Sequence, residues 1–418
     1  MMASGLPGLP GLLVIGGGIA GISAAIEAAE TGNEVYLVER EPYLGGRVAG
    51  MNRYFPKLCS PQCGLEINFR RIRQNKALRV FTLAEVEKVE GRPGDFTVTV
   101  RLKPRYVNDH CTGCGECVQA CPVDRHNLKN YGMDTTRAIY LPQEIAEPFR
   151  YTIDPGACEG TKCGRCVEAC RYGAIDLEMA PSTLTLRVGR IVLATGWRPY
   201  DPAQISTLGF GHFPDIISNV MMERLAAAGG PTGGELRRPS DGQPAKRVAF
   251  VQCAGSRDIN HLAYCSGVCC LASLKQATYV LERYPDALVH IFFIDIRTPG
   301  GFEAFYQRLQ NEPRIKFVKG KVARVLQEPG GELMVEAEDL LAGRMLRIPV
   351  DLLVLATGMV PETGPSLPPG INIPRDPYGF ALPAPGIWPV GVAKRPMDVQ
   401  ASVRDATGGV LKAVGGDG

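Results

Sequence analysis

Eight of the chain's 14 cysteines fall in two tight runs. The first is Cys111-x2-Cys114-x2-Cys117-x3-Cys121-Pro122, the second Cys158-x4-Cys163-x2-Cys166-x3-Cys170. Three thiolates so close in sequence can hold one face of a cubane only on a tight loop, and the fourth of such a run ligates the other cluster of a pair. The expected sets are therefore Cys111, Cys114, Cys117 and Cys170 for one [4Fe–4S] cluster, with Cys158, Cys163, Cys166 and Cys121 for the other. The chemistry is single-electron transfer. The second run departs at its x4 step and at Arg171, where the first has Pro122, and 36 residues separate Cys121 from Cys158. A structural zinc site would want cysteine pairs set further apart. His110 and His126 flank the runs and read as ordinary neighbours.

A second pattern points to phosphate. Gly16-x-Gly18-x-x-Gly21 follows the apolar run Leu12–Ile15 and opens a helix-spaced stretch, Ile19–Thr31. Glycines there permit a tight turn, close approach of a pyrophosphate to backbone N–H groups, and close helix–strand packing. The helix N-terminus favours the phosphate charge. Glu39, at the end of the next apolar run, is placed to accept hydrogen bonds from ribose hydroxyls. The bland alternative is a glycine turn without a ligand.

Six further thiols fit neither pattern. Cys253, Cys265, Cys269 and Cys270 fall within 18 residues, and Cys59 and Cys63 stand at x3 spacing. Buried cysteines commonly pack as small hydrophobes, but four so close, two of them adjacent, favour metal ligation. At a helix N-terminus near Cys265–Cys270 their thiolates are expected to be stabilised. For Cys59 and Cys63 three readings stay open: a flavin-facing redox dithiol, extra cluster ligands, or inert packing.

These residues need a framework. The chain has 418 residues, 46 Lys and Arg against 43 Asp and Glu, and 45% hydrophobic residues, with 49 Gly and 33 Pro. That suits two or three globular domains and rules out disorder as its main state. It leaves no basic footprint for nucleic acid. Free thiols reserved for metal imply a reducing, cytoplasmic compartment. No secretory n-region precedes Arg40, and no apolar run is long enough to span a bilayer. Strand, glycine turn, helix and strand open a dinucleotide fold, and a hairpin-like stretch covers Ala77–Leu102. The cysteine runs then interrupt the pattern, and a strand ending in Ala194-Thr195-Gly196 resumes it. Residues 229–245 read as a flexible loop. A second α/β unit starts at Arg247–Val251 and ends with a second Ala-Thr-Gly at Ala356. The expected segments are 1–105 and 181–245 for the first nucleotide-binding domain, 106–180 for the insertion, 246–350 for the second unit, and 351–418 for the return.

Gly45-Gly46-Arg47, Ala194-Thr195-Gly196 and Gly386-Ile-Trp-Pro-Val-Gly391 resemble the two-dinucleotide-binding-domain flavoproteins. That resemblance implies FAD in the first site, with Ile19, Ala20, Arg40 and Val86 among its contacts. The family carries Gly-Asp where this chain has Gly391-Val392, so the ribityl contact is expected to be lost or moved to Asp398. Val251-Gln-Cys253-Ala-Gly-Ser-Arg257-Asp258, Tyr264-Cys265-Ser-Gly-Val-Cys269-Cys270 and Pro396-Met-Asp398-Val399 resemble the flavin subunit of heterodisulfide reductases. The implied fold class is α/β: a thioredoxin-reductase-like flavoprotein with an inserted two-cluster ferredoxin module. Within that family, the compact length resembles the flavin subunits of the quinone-interacting membrane-bound oxidoreductase (Qmo) type in sulfate reducers. The resemblance implies two partners, a second flavin/iron–sulfur subunit plus a haem-bearing membrane subunit, holding the chain at the inner face of the cytoplasmic membrane. It further implies electron flow from menaquinol to adenylylsulfate reductase. Flavin-based bifurcation, an NAD(P)H-dependent iron–sulfur flavoprotein like the small subunit of glutamate synthase, and a non-enzymatic iron–sulfur scaffold are the alternatives.

The second unit departs from a pyridine-nucleotide domain. Gln252-Cys253-Ala254-Gly255-Ser256 offers one glycine where three are wanted, and side chains there keep a pyrophosphate off the backbone. The expectation is a third iron–sulfur cluster on Cys253, Cys265, Cys269 and Cys270 in place of a nicotinamide site. No Ser–His–Asp set or carboxylate pair suggests hydrolysis.

Overall fold

The computed structural model describes residues 11–364 and 367–415, which form two compact units. One comprises the chain to Trp197 together with the chain from Pro361 on, the other Arg198–Val360.

The first unit is built on strand β1 (Gly11–Ile15), helix α1 (Ile19–Glu30) and strand β2 (Val35–Val38). Four of the five β1 residues and all of β2 are buried, as expected of parallel strands covered on both faces. Helix α2 (Pro61–Gln74) begins on a Ser60 N-cap, whose hydroxyl accepts from Gln62 N. Strands β3 (Leu78–Phe81), β4 (Ala84–Arg92) and β5 (Asp95–Leu102) follow. The expected hairpin is thus shorter than Ala77–Leu102. Leu78–Phe81 pairs parallel to β2, and only β4 and β5 form the antiparallel ribbon. Its inner face holds the buried Phe96, Val98 and Val100. After the insertion comes the long strand β6 (Ser182–Leu193). Its first half pairs antiparallel with β5, its second half parallel with β1 and with Ile387–Pro389. The sheet order is β3-β2-β1-β6-β5-β4. The C-terminal helix Val399–Gly415 lies against α1, and together they cover one face of the sheet.

The insertion contributes two short helices, α3 (Glu116–Ala120) and α4 (Arg165–Ala169), packed on each other. Its core consists of Val107, Ile139, Ile153 and Ile175 together with Cys117, Cys121 and Cys166. Cysteine is therefore structural material here as well as chemistry.

The second unit holds a five-stranded parallel sheet of β7 (Ile216–Ser218), β8 (Arg247–Ala254), β9 (Leu288–Phe293), β10 (Ile315–Lys319) and Leu352–Thr357. Leu352–Thr357 lies between β7 and β8. A three-stranded antiparallel sheet, Val322–Gln327, Leu333–Asp339 and Arg344–Val350, accompanies it. The unit begins at Arg198 rather than 246, because Ile216–Ser218 supplies an edge strand and brings 198–245 with it. Nor is 229–245 a loose loop: Leu236 and Ala245 are buried, and the Tyr284 hydroxyl donates to the Leu236 carbonyl.

Candidate functional site

The glycine turn is shaped by contacts that leave no room for side chains. A Cβ on Gly16, whose φ is +106°, would lie 2.4 Å from the Ala194 carbonyl oxygen, and one on Gly21 would lie 1.8 Å from the Gly16 oxygen. Both are close backbone approaches, so neither can shift cheaply. Gly18 is different: a Cβ there meets nothing within 4 Å, leaving an open face at the start of α1. Gly45 pairs with this turn, its N–H donating to Gly17 O at 2.8 Å, and a Cβ on Gly46 would stand 2.9 Å from Gly18 Cα. The two glycine motifs thus form one cradle. Ile19 and Ala20 open α1 directly above it.

Glu39 closes the cradle from below. It is 7% exposed; its Oε2 accepts Gly17 N at 2.5 Å and its Oε1 accepts Glu41 N at 2.7 Å. Burial pushes this carboxyl above its ordinary value, against the pull of the two amides. Each oxygen keeps a further lone pair for a ribose hydroxyl. Thr195 Oγ1, at the end of β6, is buried without a partner. Open backbone, a carboxylate and an unsatisfied hydroxyl together fit the FAD that the motifs imply.

Other predicted residues are placed around this turn. Gly391 packs on Ala20, and its N–H donates to Asp405 Oδ2 at 2.9 Å. Asp405 also pairs with Lys394 at 2.8 Å. Asp398 instead caps the C-terminal helix, its Oδ1 accepting Ala401 N at 2.7 Å. Arg40 is a surface cation 3.5 Å from Glu362. Arg47 donates from Nε to Trp197 O at 2.6 Å, stacks 4.9 Å over the Trp197 ring, and reaches the Tyr131 hydroxyl at 3.4 Å. Val86 contributes its side chain to the core under the ribbon.

In the insertion, two cavities take the cysteines in crossed sets. Cys111, Cys114, Cys117 and Cys170 line one, together with Tyr151 and Tyr172. Cys121, Cys158, Cys163 and Cys166 line the other, together with Ile139 and Ile153. The crossing follows from local geometry. Gly115 and Gly164 adopt φ of +87° and +61° and start α3 and α4. Cys121 and Cys170 are the C-caps of those helices, so each fourth thiol leaves its own loop and meets the other. The extra residues of the x4 step form a 3-10 turn, Gly160–Lys162. Backbone N–H groups donate to sulfur, Gly160 to Cys158 and Ala174 to Cys170, both at 3.4 Å. Among the described residues no three such side chains are arranged around a single metal ion. Thiols ringing a cavity suit a cubane, in which each iron takes its own thiolate.

The two buried thiols Cys117 and Cys166 are poor anions by themselves. Burial, then the neighbouring Cys111 and Cys114, push Cys117 up to about 12. Burial raises Cys166 likewise. Such sulfurs hold negative charge only when a cation takes it.

The length between the runs has a use that the sequence did not disclose. Residues 143–147 lie on the segment that carries Gly45. Leu44 N donates to Glu147 O at 3.0 Å, and Gln143 Nε2 donates to Leu44 O at 3.4 Å. Glu144 accepts from Gln62 at 2.8 Å, and Glu147 pairs with Arg73 at 2.5 Å. The cluster module is thereby tied to the flavin turn.

In the second unit, Cys253 sits at a bulge near the end of β8 with φ of +57°. The helix Cys269–Arg283 starts only after the loop carrying Cys265. The four thiols act electrostatically on one another. Burial pushes Cys253 up to about 11 and raises Cys269 and Cys270. At Cys253, Cys269 and Cys270 the direction is opposite to the stabilisation expected of the helix end, because desolvation and the neighbouring thiols raise them. Cys59 and Cys63 belong to the first unit, and both act on the Tyr54 phenol, which burial raises.

The residues match known proteins in the same two places. Residues 11–66 match the family described as FAD dependent oxidoreductase, and residues 110–174 match the 4Fe-4S dicluster domain. A subunit of the H(2):CoB-CoM heterodisulfide,ferredoxin reductase of Methanothermobacter marburgensis is 37% identical over 416 residues, covering 96% of this chain and 63% of its own. The iron-sulfur subunit of the CoB--CoM heterodisulfide reductase of Methanocaldococcus jannaschii is 39% identical, covering 95% and 62%. The chain therefore spans less than two thirds of these relatives. In fold it is similar to the thioredoxin reductases of T. acidophilum and Lactococcus lactis, each at TM-score 0.53. Identities are 14% and 13%, with coverage of 96% of both chains in the first case and 97% in the second. Flavin cradle, paired thiol cavities and similarity along nearly the whole chain make this a flavin and iron–sulfur protein similar to the A subunits of heterodisulfide reductases.

Proposed function

We propose that the chain is an electron-transfer subunit of the Qmo type, relaying electrons between a menaquinol pool and adenylylsulfate reductase. The observation that carries the relay is the seating of residues 143–147 on Leu44, beside the Gly45–Gly46 cradle. A bound flavin exchanges electrons in pairs or singly, whereas a cubane takes one at a time. The chain's own residues fix the distance between them. The cradle holds the pyrophosphate, Glu39 takes the ribose, and Asp405 fixes the Gly391 turn. The two crossed sets, Cys111, Cys114, Cys117, Cys170 and Cys121, Cys158, Cys163, Cys166, are assigned as cluster ligands. Cys253, Cys265, Cys269 and Cys270 are assigned to a third cluster, with Cys253 in the turn where a nicotinamide phosphate site would need glycines. A haem-bearing membrane subunit, with a second flavin/iron–sulfur subunit, completes the complex.

The test is the assembled complex, purified anaerobically. Menaquinol addition bleaches the flavin, and adenylylsulfate reductase with its substrate restores the colour. Flavin reduced by NADH and unresponsive to menaquinol overturns the reading. The name of the Methanothermobacter marburgensis relative, which joins a heterodisulfide and a ferredoxin, favours a second reading, that of a bifurcating subunit. Redox titration separates the two, since bifurcation requires crossed one-electron flavin potentials.

A further inference from the structure

The carboxyl ends of the parallel strands in the second unit bring together more than thiols. Cys253 lies at the end of β8 and Asp295 just past the end of β9; the register of Val251 with Phe292 sets these ends side by side. The Cys270 sulfur stands 3.8 Å from the Asp295 carbonyl oxygen, and the Arg297 backbone N–H donates to the same sulfur. The Asp295 carboxylate takes two arginines. Arg257 Nη1 pairs with Oδ1, and Arg297 Nη2 with Oδ2 at 3.4 Å. This ion pair folds the Arg257 guanidinium back over the strand ends, where it hydrogen-bonds Cys253. Burial raises the Cys253 thiol, and the charge of Arg257 opposes the rise.

The two arginines are not equivalent. The Arg257 side chain is 25% exposed, that of Arg297 50%. Arg257 and Cys253 both hold a left-handed backbone, with φ of +58° and +57°, which costs residues that carry a Cβ. Arg257 N donates to the carbonyl of Tyr264, the residue before Cys265, at 3.1 Å. One turn thus positions the cation and the loop of a second thiol. A partly exposed ion pair contributes little stability by itself, so the pair alone does not account for the strained turn. Charge at the sulfurs does. A cubane on four thiolates carries net negative charge, which grows by one when it takes up an electron, with no bond broken. Hydrogen bonds and fixed charge at the ligand sulfurs set cluster potentials. A guanidinium held on Cys253 stabilises the reduced cluster more than the oxidised one.

We infer that Arg257, aimed by Asp295, is the charged hydrogen-bond donor to the third cluster at Cys253 and makes that cluster easier to reduce. Arg297 serves it through its backbone N–H and adds little through its charge. The inference rests on the proposed assignment of Cys253, Cys265, Cys269 and Cys270 to a cluster.

The test is an EPR-monitored redox titration of the FAD-loaded, iron-replete chain. The third cluster's signal is the one that Cys265→Ala removes, and iron and flavin content are measured alongside. Arg257→Gln is expected to lower the reduction equilibrium of this cluster at least tenfold, which is about 59 mV for one electron. Arg297→Gln takes the same charge from the same carboxylate and stays within about threefold of wild type, half of that interval. The other clusters stay put in both variants. No shift in Arg257→Gln, equal shifts in the two variants, or a common shift of all clusters overturns the inference. Wild-type protein gives a reading that needs no variant at Arg257. With arginine labelled by heavy nitrogen in the guanidinium alone, pulsed EPR of the reduced third cluster is expected to show coupling to the label. Absence of that coupling overturns the inference as well. About eight irons per wild-type chain, with no signal lost in Cys265→Ala, would instead sink the third-cluster reading and take the inference with it.

Discussion

Glu39 shows what one buried carboxylate does in this site. Its oxygens are held by Gly17 and Glu41 amides, so the group is fixed before any ligand arrives. Glu39→Ala is expected to weaken FAD binding by about 1.5–3 kcal/mol, the scale of a charged hydrogen bond, read by flavin release on dilution. His290 gives the pH dependence of the second unit. Burial, with Lys316 directly across the strand pair, holds its pKa below the ordinary value. Below about pH 6.5 the unfolded chain takes a proton that the folded chain refuses, so stability is full above that value and falls with pH. Thermal midpoints should drop on acidification, and His290→Gln should lessen the drop. Asp398 was legible as an acid near Gly391, but its place is the helix cap. Asp405 lies two helical turns further on, and its relation to Gly391 exists only once the helix packs on α1.

Among elements, the crossing of the two cysteine runs is the sharpest expectation. Cys170→Ala should remove the cluster shared with Cys111, Cys114 and Cys117, and spare the one whose other ligands adjoin it in sequence. Iron analysis and low-temperature EPR read the outcome. Loss of the neighbouring cluster would show that each run serves itself. The strap at 143–147 carries a different expectation. Gln143→Ala with Glu147→Ala loosens its side-chain ties to Leu44 and Arg73, and should slow electron passage from flavin to clusters while leaving iron and flavin content intact. Stopped-flow absorbance separates the two species. The run spacing was readable because ligation is local, set by a glycine and one helical turn. The strap was not, because its contacts join residues about a hundred positions apart through two carbonyls and an amide, which any sequence could offer. The split of β6 between two partners, and the strand Ile216–Ser218, were hidden for the same reason: short strands gain their identity from neighbours.

At the scale of the whole molecule, iron counts the thiol sites. Three cubanes give about twelve irons per chain, with no rapid flavin bleaching by NADH or NADPH. About eight irons with fast bleaching by NADH would mean that the Cys253 turn takes a nucleotide and its thiols only pack. Among the described residues no helix is long and apolar enough to cross a membrane. The chain expressed alone is expected in the supernatant after ultracentrifugation, and with its partners in the pellet. Finally, the core of the insertion has a consequence for the protein's life in a cell. Cys117, Cys121 and Cys166 are part of that core, so the scaffold that docks on Leu44 is completed by its cargo, and metal binding there is folding free energy. Scarcity of iron is then expected to leave newly made chains with an unravelled stretch at 106–180 while the sheet around β1 stands. Limited proteolysis of chains from iron-starved cells should nick that stretch first, making nutrient supply a checkpoint on protein abundance.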